Sequence, residues 1–196
     1  QETLKIGMTV SSAGRFALAS QSGERGVQIW MDDVNRRGGL DMGGKKYKVE
    51  LVKLDDRSDK QMVPRVYETL IEEQKVDLLF GPFGSTLTSA ATAVTERSNK
   101  FLVIWSAASD SIYDQGAKHL ISASQIASSM MAIPSVELAA KLGGNKKIAI
   151  VYLDEPFPAG MAAGAEKLAK AKGMQVTQFE KFAAGTKDFS ILIQKA

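Results

Sequence analysis

The chain has 196 residues, of which 44% are hydrophobic and 24% charged, and its formal net charge at pH 7 is +3. Its basic residues are scattered among acidic ones, whereas a nucleic-acid surface requires a clustered basic stripe. No apolar run approaches the roughly 18 residues of a membrane span. The sequence contains no cysteine, so disulfides and thiolate metal sites are excluded.

The first half of the chain alternates short apolar strands with helical patterns. We expect the strands at 3–10, 48–56, 76–81 and 100–106, and the helices at 23–34, 59–75 and 87–99. Strands with uninterrupted apolar residues, such as "DLLF" and "FLVIW", are typical of a sheet buried on both faces. The pattern therefore predicts βαβ units around a parallel sheet, which is an α/β fold.

The second half repeats this pattern after a weakly periodic stretch at 110–125, which we interpret as a crossing between two sheets. We expect helices at 128–143 and 159–173, strands at 146–154 and 174–182, and a last helix capped by Asp188. Two lobes are predicted, 1–120 and 121–196. The sequence ends within an amphipathic helix, so we interpret it as truncated, with an incomplete second lobe.

The N-terminus carries no segment that resembles a targeting signal before the first strand. The chain begins with Gln1 rather than Met. We interpret it as a mature chain from which a leader has been removed, although an arbitrary chain boundary would look the same.

The stretch "LLFGPFGSTLTSA" (78–90) runs from a strand through glycines into a helix. A phosphate-binding loop requires lysine after its second glycine, but Gly84 is followed by Ser85 and Thr86. The dinucleotide-binding and nucleophile-elbow patterns are also missing. The single histidine, His119, is interpreted as structural, so neither a zinc site nor a serine–histidine pair is expected.

Capture of a small anion remains possible at this corner. The N-terminus of a helix offers backbone N–H groups and a positive dipole end, which suit a carboxylate. Ser85, Thr86 and Thr88 add hydroxyl groups. The alternative is that Ser85 or Thr86 only caps its helix.

In a second corner, "WSAAS" (105–109), the chain also runs from a buried strand into small residues, among them Ala107, Ala108 and Ser109. The loop "SSAGRF" (11–16) follows the first strand in the same way. Ligands of open parallel sheets bind outside the carboxyl ends of the strands. The three loops therefore predict a binding edge.

These segments, in their order along the chain, resemble the type I periplasmic solute-binding proteins of the branched-chain amino acid (Leu/Ile/Val-binding) group. The similarity rests on "LKIGMTVSSAGRFA", "GVQIWMDDVNRRGGL", "LLFGPFGSTLTSA", "FLVIWSAAS" and "KKIAIVYLDEPFPAG". It implies two α/β lobes, each with a parallel sheet flanked by helices, joined by a hinge. Members of the group are about twice as long as this chain.

The resemblance implies a receptor for the carboxylate of a ligand. In members that bind amino acids, the serine after the corner glycine holds this carboxylate, together with the small-residue corner that follows the next strand. Those positions fall on Ser85, Ala107 and Ser109, with backbone groups contributing. The acidic residue that pairs with the ligand ammonium would lie beyond Ala196.

The resemblance also implies an aromatic lining. Phe157 matches an aromatic residue that often closes over the ligand, whereas Ala19 stands where a pocket tyrosine is common, which enlarges the pocket or leaves Phe16 to fill it. Phe16, Phe157 and Trp105 could form an aromatic wall, although we interpret Trp105 rather as a core residue. Asp55, Asp56 and Asp59 are interpreted as a solvated turn and helix cap.

We therefore expect a periplasmic substrate-binding component of an ABC transporter, which delivers a small amino acid or aromatic acid to a membrane permease. No catalysis, cofactor, metal or nucleic-acid partner is expected, and the protein should be a monomer. The alternative function is that of a ligand-sensing ectodomain of a receptor or regulator with the same fold.

Overall fold

The structure is a computed structural model that describes residues 1–123, 126–142 and 146–195. It divides into two compact units, of which the first comprises Gln1–Ala107 and Gly116–Gln125 and the second Ala108–Gln115 and Ile126–Ala196. The lobe boundaries 1–120 and 121–196 stay a prediction. Within the described residues, no helix has the length and apolar character needed to cross a membrane.

The first unit contains a six-stranded sheet with helices packed on it. Its elements are β1 (Thr3–Val10), α1 (Ala17–Arg36), β2 (Leu40–Met42), β3 (Lys45–Asp55), α2 (Val63–Glu72), β4 (Leu78–Phe80), α3 (Ser85–Arg97), β5 (Leu102–Ile104) and β6 (Leu120–Ser122). The strands run in the order β2-β3-β1-β4-β5-β6, and among them β2 is antiparallel to its neighbour while the other pairs are parallel.

The strand order reverses at β1. From β1 the chain continues to β3 on one side of it, and then returns to place β4 on the other side. Loops that follow β1 and β4 leave the sheet in different directions at such a point, and the crevice between them is where ligands of open α/β sheets bind. The topology therefore indicates that the loops at 11–16 and 81–84 border the expected ligand-binding crevice.

The central strands of this unit form its core, although β4 and β5 are fully buried on one face and half-buried on the other. Ile6, Met8, Leu79 and Ile104 are fully buried in the central strands. Between them, Gly7 allows the apolar residues of the neighbouring segment to approach, since a Cβ there would lie 3.0 Å from Val76.

The second unit has a two-stranded parallel sheet of β7 and β8, with a register shift between Ile148 and Ala149. Its helices cover an apolar cluster that includes Val136, Ile150 and Ala169. The elements of the unit are α4 (Asp110–Tyr113), α5 (Ser128–Met131), α6 (Ile133–Leu142), β7 (Lys147–Leu153), α7 (Pro156–Ala171), β8 (Gln175–Phe182) and α8 (Ser190–Gln194).

The structure differs from the predicted elements at several boundaries. Helix α1 begins at Ala17, six residues before the predicted start, and the predicted helix 128–143 is divided into α5 and α6. Pro134 lies in the first turn of α6, where its missing N–H is tolerated. The stretch interpreted as a crossing contains β6, which pairs in parallel with β5. The N-cap of the last helix is Phe189 rather than the predicted Asp188, which lies one residue earlier and accepts a hydrogen bond from the Ser190 amide at 2.9 Å.

Candidate ligand-binding edge

The corner after β4 presents the N-terminus of α3 at the carboxyl edge of the sheet. Gly84 is the N-cap of this helix with φ +81°, a left-handed conformation that glycine adopts without strain. Ser85 is the first helical residue, so neither Ser85 nor Thr86 is the N-cap. The first N–H groups of a helix have no intrahelical acceptor, which suits this end of α3 to an anion.

Side chains that follow β5 hold this corner in place. Ser106 Oγ accepts a hydrogen bond from the Gly84 amide at 3.0 Å and donates to Pro82 O at 3.3 Å. Trp105 Nε1 donates to Gly81 O at 2.6 Å. The corners after β4 and β5 are therefore joined by side-chain hydrogen bonds as well as by the strand ladder.

Three half-buried aromatic rings form a row along this edge. The ring of Phe83 lies between Phe16 and Trp105, with centroid separations of 5.8 Å and 6.0 Å. The guanidinium of Arg15 lies 4.3 Å from the centre of the Phe16 ring. Gly23 of α1 leaves room for the indole, since a Cβ there would lie 2.0 Å from Trp105 Cη2.

The aromatic row shows what the sequence interpretation missed. Trp105 is half-buried and in contact with the Phe83 ring rather than enclosed in the core. Phe83, which was not among the expected site residues, links Phe16 to Trp105. The sequence feature that could have identified Phe83 is its position between Gly81 and Gly84, the two glycines of the corner. Ala19, in the first turns of α1, is half-buried.

Asp56 was also misinterpreted, because it is fully buried rather than solvated. Its carboxylate accepts hydrogen bonds from Thr9 Oγ1 at 2.6 Å and from Ser11 Oγ at 2.5 Å. The adjacent Asp55 accepts bonds from the amide and hydroxyl of Ser12. Burial raises the pKa of Asp55, but these bonds outweigh burial and hold it below its ordinary value.

In the second unit, Ser109 ties the segment after β5 to the start of α7. It is buried and precedes α4, and its Oγ donates to Pro156 O at 3.0 Å. Pro156 begins α7, and the half-buried Phe157 follows it. The Ala108 carbonyl accepts a bond from the Ser128 amide at 2.7 Å.

Helix α5 approaches α7 at glycines. A Cβ on Gly160 would lie 2.0 Å from Ser128 Oγ, and one on Gly164 would lie 1.8 Å from Ser129 O. Asp110 accepts bonds from Ser128 Oγ at 2.9 Å and from Ser129 Oγ at 2.7 Å. Burial raises the pKa of Asp110, but the hydrogen bonds from these serines outweigh it and hold the pKa below its ordinary 3.8.

The predicted site residues divide between the two units. The first unit holds the corner serine and threonine, the aromatic residue of the first loop, and two alanines: Ser85, Thr86, Phe16, Ala19 and Ala107. The second unit brings together Ala108, Ser109 and Phe157. Ala107 and Ala108 are both buried, so they offer backbone rather than side-chain groups.

His119 has the predicted structural role. Its amide donates to Glu96 Oε1 at 2.6 Å, its Nδ1 lies 3.2 Å from Glu96 Oε2, and its ring contacts Phe101 edge-on. Over residues 1–123, 126–142 and 146–195, the structure has no group of three His, Asp or Glu side chains that could hold a metal ion.

Comparison with solved structures shows the same fold. The substrate-binding protein LivJ of the branched-chain amino acid transporter from Streptococcus pneumoniae, in complex with isoleucine, has a TM-score of 0.76 and 24% identity. The match covers 99% of this chain and 53% of LivJ. A solute-binding protein of an ABC transporter from Rhodopseudomonas palustris BisB5, in complex with 3,4-dihydroxybenzoic acid, has a TM-score of 0.83 and 19% identity, over 100% and 51% of the two chains.

Sequence comparison shows the family. The model of the periplasmic binding protein family matches residues 3–196, and the chain belongs to this family. The Leu/Ile/Val-binding protein homolog 7 of Brucella abortus is 26% identical over 197 residues, which cover 97% of this chain and 48% of the relative. The resemblance to the branched-chain amino acid group is thus confirmed, and the chain spans about half the length of the curated relatives it matches.

Proposed function

We propose that this chain belongs to the substrate-binding component of an ABC transporter, which captures a small carboxylate-bearing solute outside the cytoplasm. The observation that carries this proposal is the N-terminus of α3, with buried Ser85 as its first residue, next to the strand-order reversal of the sheet. Such a position combines oriented N–H groups, a helix dipole and a hydroxyl, which together suit a carboxylate.

The proposed carboxylate receptor in the first unit consists of Ser85, the backbone around Thr86, and Ala107. In the second unit, Ala108, Ser109 and Phe157 stay proposed ligand-binding residues. Each hydrogen bond to a charged group contributes about 1.5–3 kcal/mol. Three such bonds with apolar burial account for the roughly 8 kcal/mol of a micromolar site.

The aromatic row favours a solute with an apolar body. Phe16, Phe83 and Trp105 offer ring faces and edges beside the proposed carboxylate receptor, and aromatic side chains supply much of the apolar surface of small-molecule sites. The two structural relatives were solved with isoleucine and with 3,4-dihydroxybenzoic acid. We propose that the ligand is an amino acid or an aromatic acid of this size.

The biological setting follows from the same proposal. The protein would act in the periplasm as a monomer and would deliver the captured solute to a membrane permease. No chemical step is proposed, because the expected role is capture and release. A sensing ectodomain would capture ligand in the same way but would not require a permease.

The test is a thermal-shift screen of the full-length protein against amino acids, aromatic carboxylates and small amides. The Ser85→Ala variant should reduce the shift produced by a carboxylate hit. The matched control is Ser89→Ala, one turn further into α3, whose hydroxyl donates to Ser85 O at 2.9 Å. Equal shifts for Ser85→Ala and the wild-type protein would refute the proposed carboxylate receptor.

A further inference from the structure

Asp56 is a charged side chain enclosed at the edge of the sheet. It is fully buried and, within the described residues, forms no ion pair with a lysine, arginine or histidine. Oδ2 accepts a hydrogen bond from Thr9 Oγ1 at 2.6 Å, while Oδ1 accepts from Ser11 Oγ at 2.5 Å and from the Ser58 amide at 2.9 Å. Burying a carboxylate is costly unless hydrogen bonds compensate, and here each donor comes from a strand end or loop of the candidate edge.

Ser58 extends this network into the loop at 11–16. Its hydroxyl donates to Ala13 O at 2.7 Å and accepts a bond from the Phe16 amide at 3.1 Å. Gly14 has φ +84°, and a Cβ there would lie 2.7 Å from Ser58 Cβ. The backbone that leads into Phe16 is therefore shaped around Ser58, which Asp56 holds.

The turn that carries Ser58 has an unfavourable backbone conformation. Arg57 and Ser58 have φ angles of 53° and 59°, so two consecutive non-glycine residues adopt the left-handed region. Each costs roughly 1–2 kcal/mol. Such conformations persist where the surroundings over-determine them, and the bonds from the Arg57 amide to Asp55 and from the Ser58 amide to Asp56, both 2.9 Å, are the restraints present here.

The same network joins the ends of two neighbouring strands. Thr9, whose hydroxyl donates to Asp56, lies in β1, and Asp56 directly follows β3, the strand paired with β1. Tyr67 is fully buried and donates to Phe80 O at 2.7 Å. One carboxylate thus connects the ends of β1 and β3 at the point where the strand order reverses, and the buried Tyr67 bond holds the end of β4 separately.

We propose that Asp56 is a positioning residue for ligand binding: it fixes the loop 11–16, and with it the ring of Phe16, in the arrangement that meets the solute. This inference rests on the proposed function for its ligand. The side chain of Asp56 has no contact with the solute in this account and acts through Ser11 and Ser58.

The test compares Asp56→Asn with Val49→Ala in the full-length protein. Val49 lies in β3, the strand that Asp56 follows; it is 2% exposed and pairs with Leu4 at the opposite end of the sheet from the loop. The first measurement, amide hydrogen exchange without ligand, reports local opening. Asp56→Asn should accelerate exchange at 11–16 by about tenfold more than Val49→Ala does.

The second measurement is calorimetric titration with isoleucine and with 3,4-dihydroxybenzoate. Asp56→Asn should weaken the stronger of the two by about tenfold or more, whereas Val49→Ala should leave the affinity within about twofold. Equal exchange at 11–16 in both variants, or a loosened loop with unchanged affinity, overturns the inference. If the wild-type protein binds neither probe, the proposed ligand class fails, and the exchange comparison alone then decides whether Asp56 fixes the loop.

Discussion

The space that Gly23 leaves for Trp105 gives a prediction with an internal control. A Cβ at position 23 would lie 2.0 Å from Trp105 Cη2, and reaching the 3.0 Å limit of real Cβ contacts requires a displacement of about 1.0 Å. The indole cannot turn away freely, because its Nε1 is bonded to Gly81 O at 2.6 Å and its ring contacts Phe83. The matched position is Gly26 in the same helix, where a Cβ would meet nothing within 4 Å.

Both substitutions to alanine gain the same helix propensity, which is worth about 0.5–1 kcal/mol. Gly26→Ala should therefore raise the free energy of unfolding by about that amount. Gly23→Ala carries an additional overpacking cost of about 1–3 kcal/mol, so the two variants should differ by that margin.

Urea unfolding followed by tryptophan fluorescence measures this difference. The chain has two tryptophans, Trp30 and Trp105, and both lie in the first unit, so the signal reports unfolding of that unit. Equal stability of Gly23→Ala and Gly26→Ala would refute the position assigned to the indole.

Three further substitutions test other parts of the structure. Gly164→Ala should destabilise the second unit by about 1–3 kcal/mol in chemical denaturation, because its Cβ would lie 1.8 Å from the backbone oxygen of Ser129. Burial raises the pKa of Asp110, but hydrogen bonding lowers it further, so the folded-state pKa lies below 3.8. The stability that Asp110 contributes is therefore complete above about pH 4 and is lost as the pH falls through the lowered pKa. Asp110→Asn should remove this contribution and flatten the acid limb of a plot of the free energy of unfolding against pH. An unchanged acid limb would contradict this assignment. Tyr67→Phe should cost about 1–3 kcal/mol in urea unfolding by leaving Phe80 O without its buried donor, and a neutral result would contradict that bond.

The strands of the first sheet could be predicted because each contains a run of consecutive apolar residues. A strand of a parallel sheet with helices packed on it, such as β4 or β5, has no polar alternation, and the small residues that follow each strand mark the edge. The start of α1 was placed too late because "ALASQS" has no strong apolar period, and its helical state depends on tertiary contacts such as the bond from the Ser11 amide to Ser20 Oγ.

The residues that the sequence interpretation missed depend on partners distant along the chain. Asp56 is buried by hydroxyl groups at positions 9 and 11, and without them "KLDDRSD" resembles an ordinary polar turn. Phe83 is positioned by ring contacts with Phe16 and Trp105, which lie on two other loops. Gly160 and Gly164 of α7 are spaced one helical turn apart, but the sequence does not reveal which segment approaches them.

The central claim is that the edge beside α3 recognises a carboxylate, and paired ligands that differ only in that group test it most directly. Isothermal titration of the full-length protein should compare isoleucine with isoleucinamide, and 3,4-dihydroxybenzoate with its amide. The acid of the better-bound pair should bind at least about tenfold more tightly than its amide, as expected for the loss of hydrogen bonds to a charged group. Equal affinity of an acid and its amide, in a protein that binds them both, would contradict it.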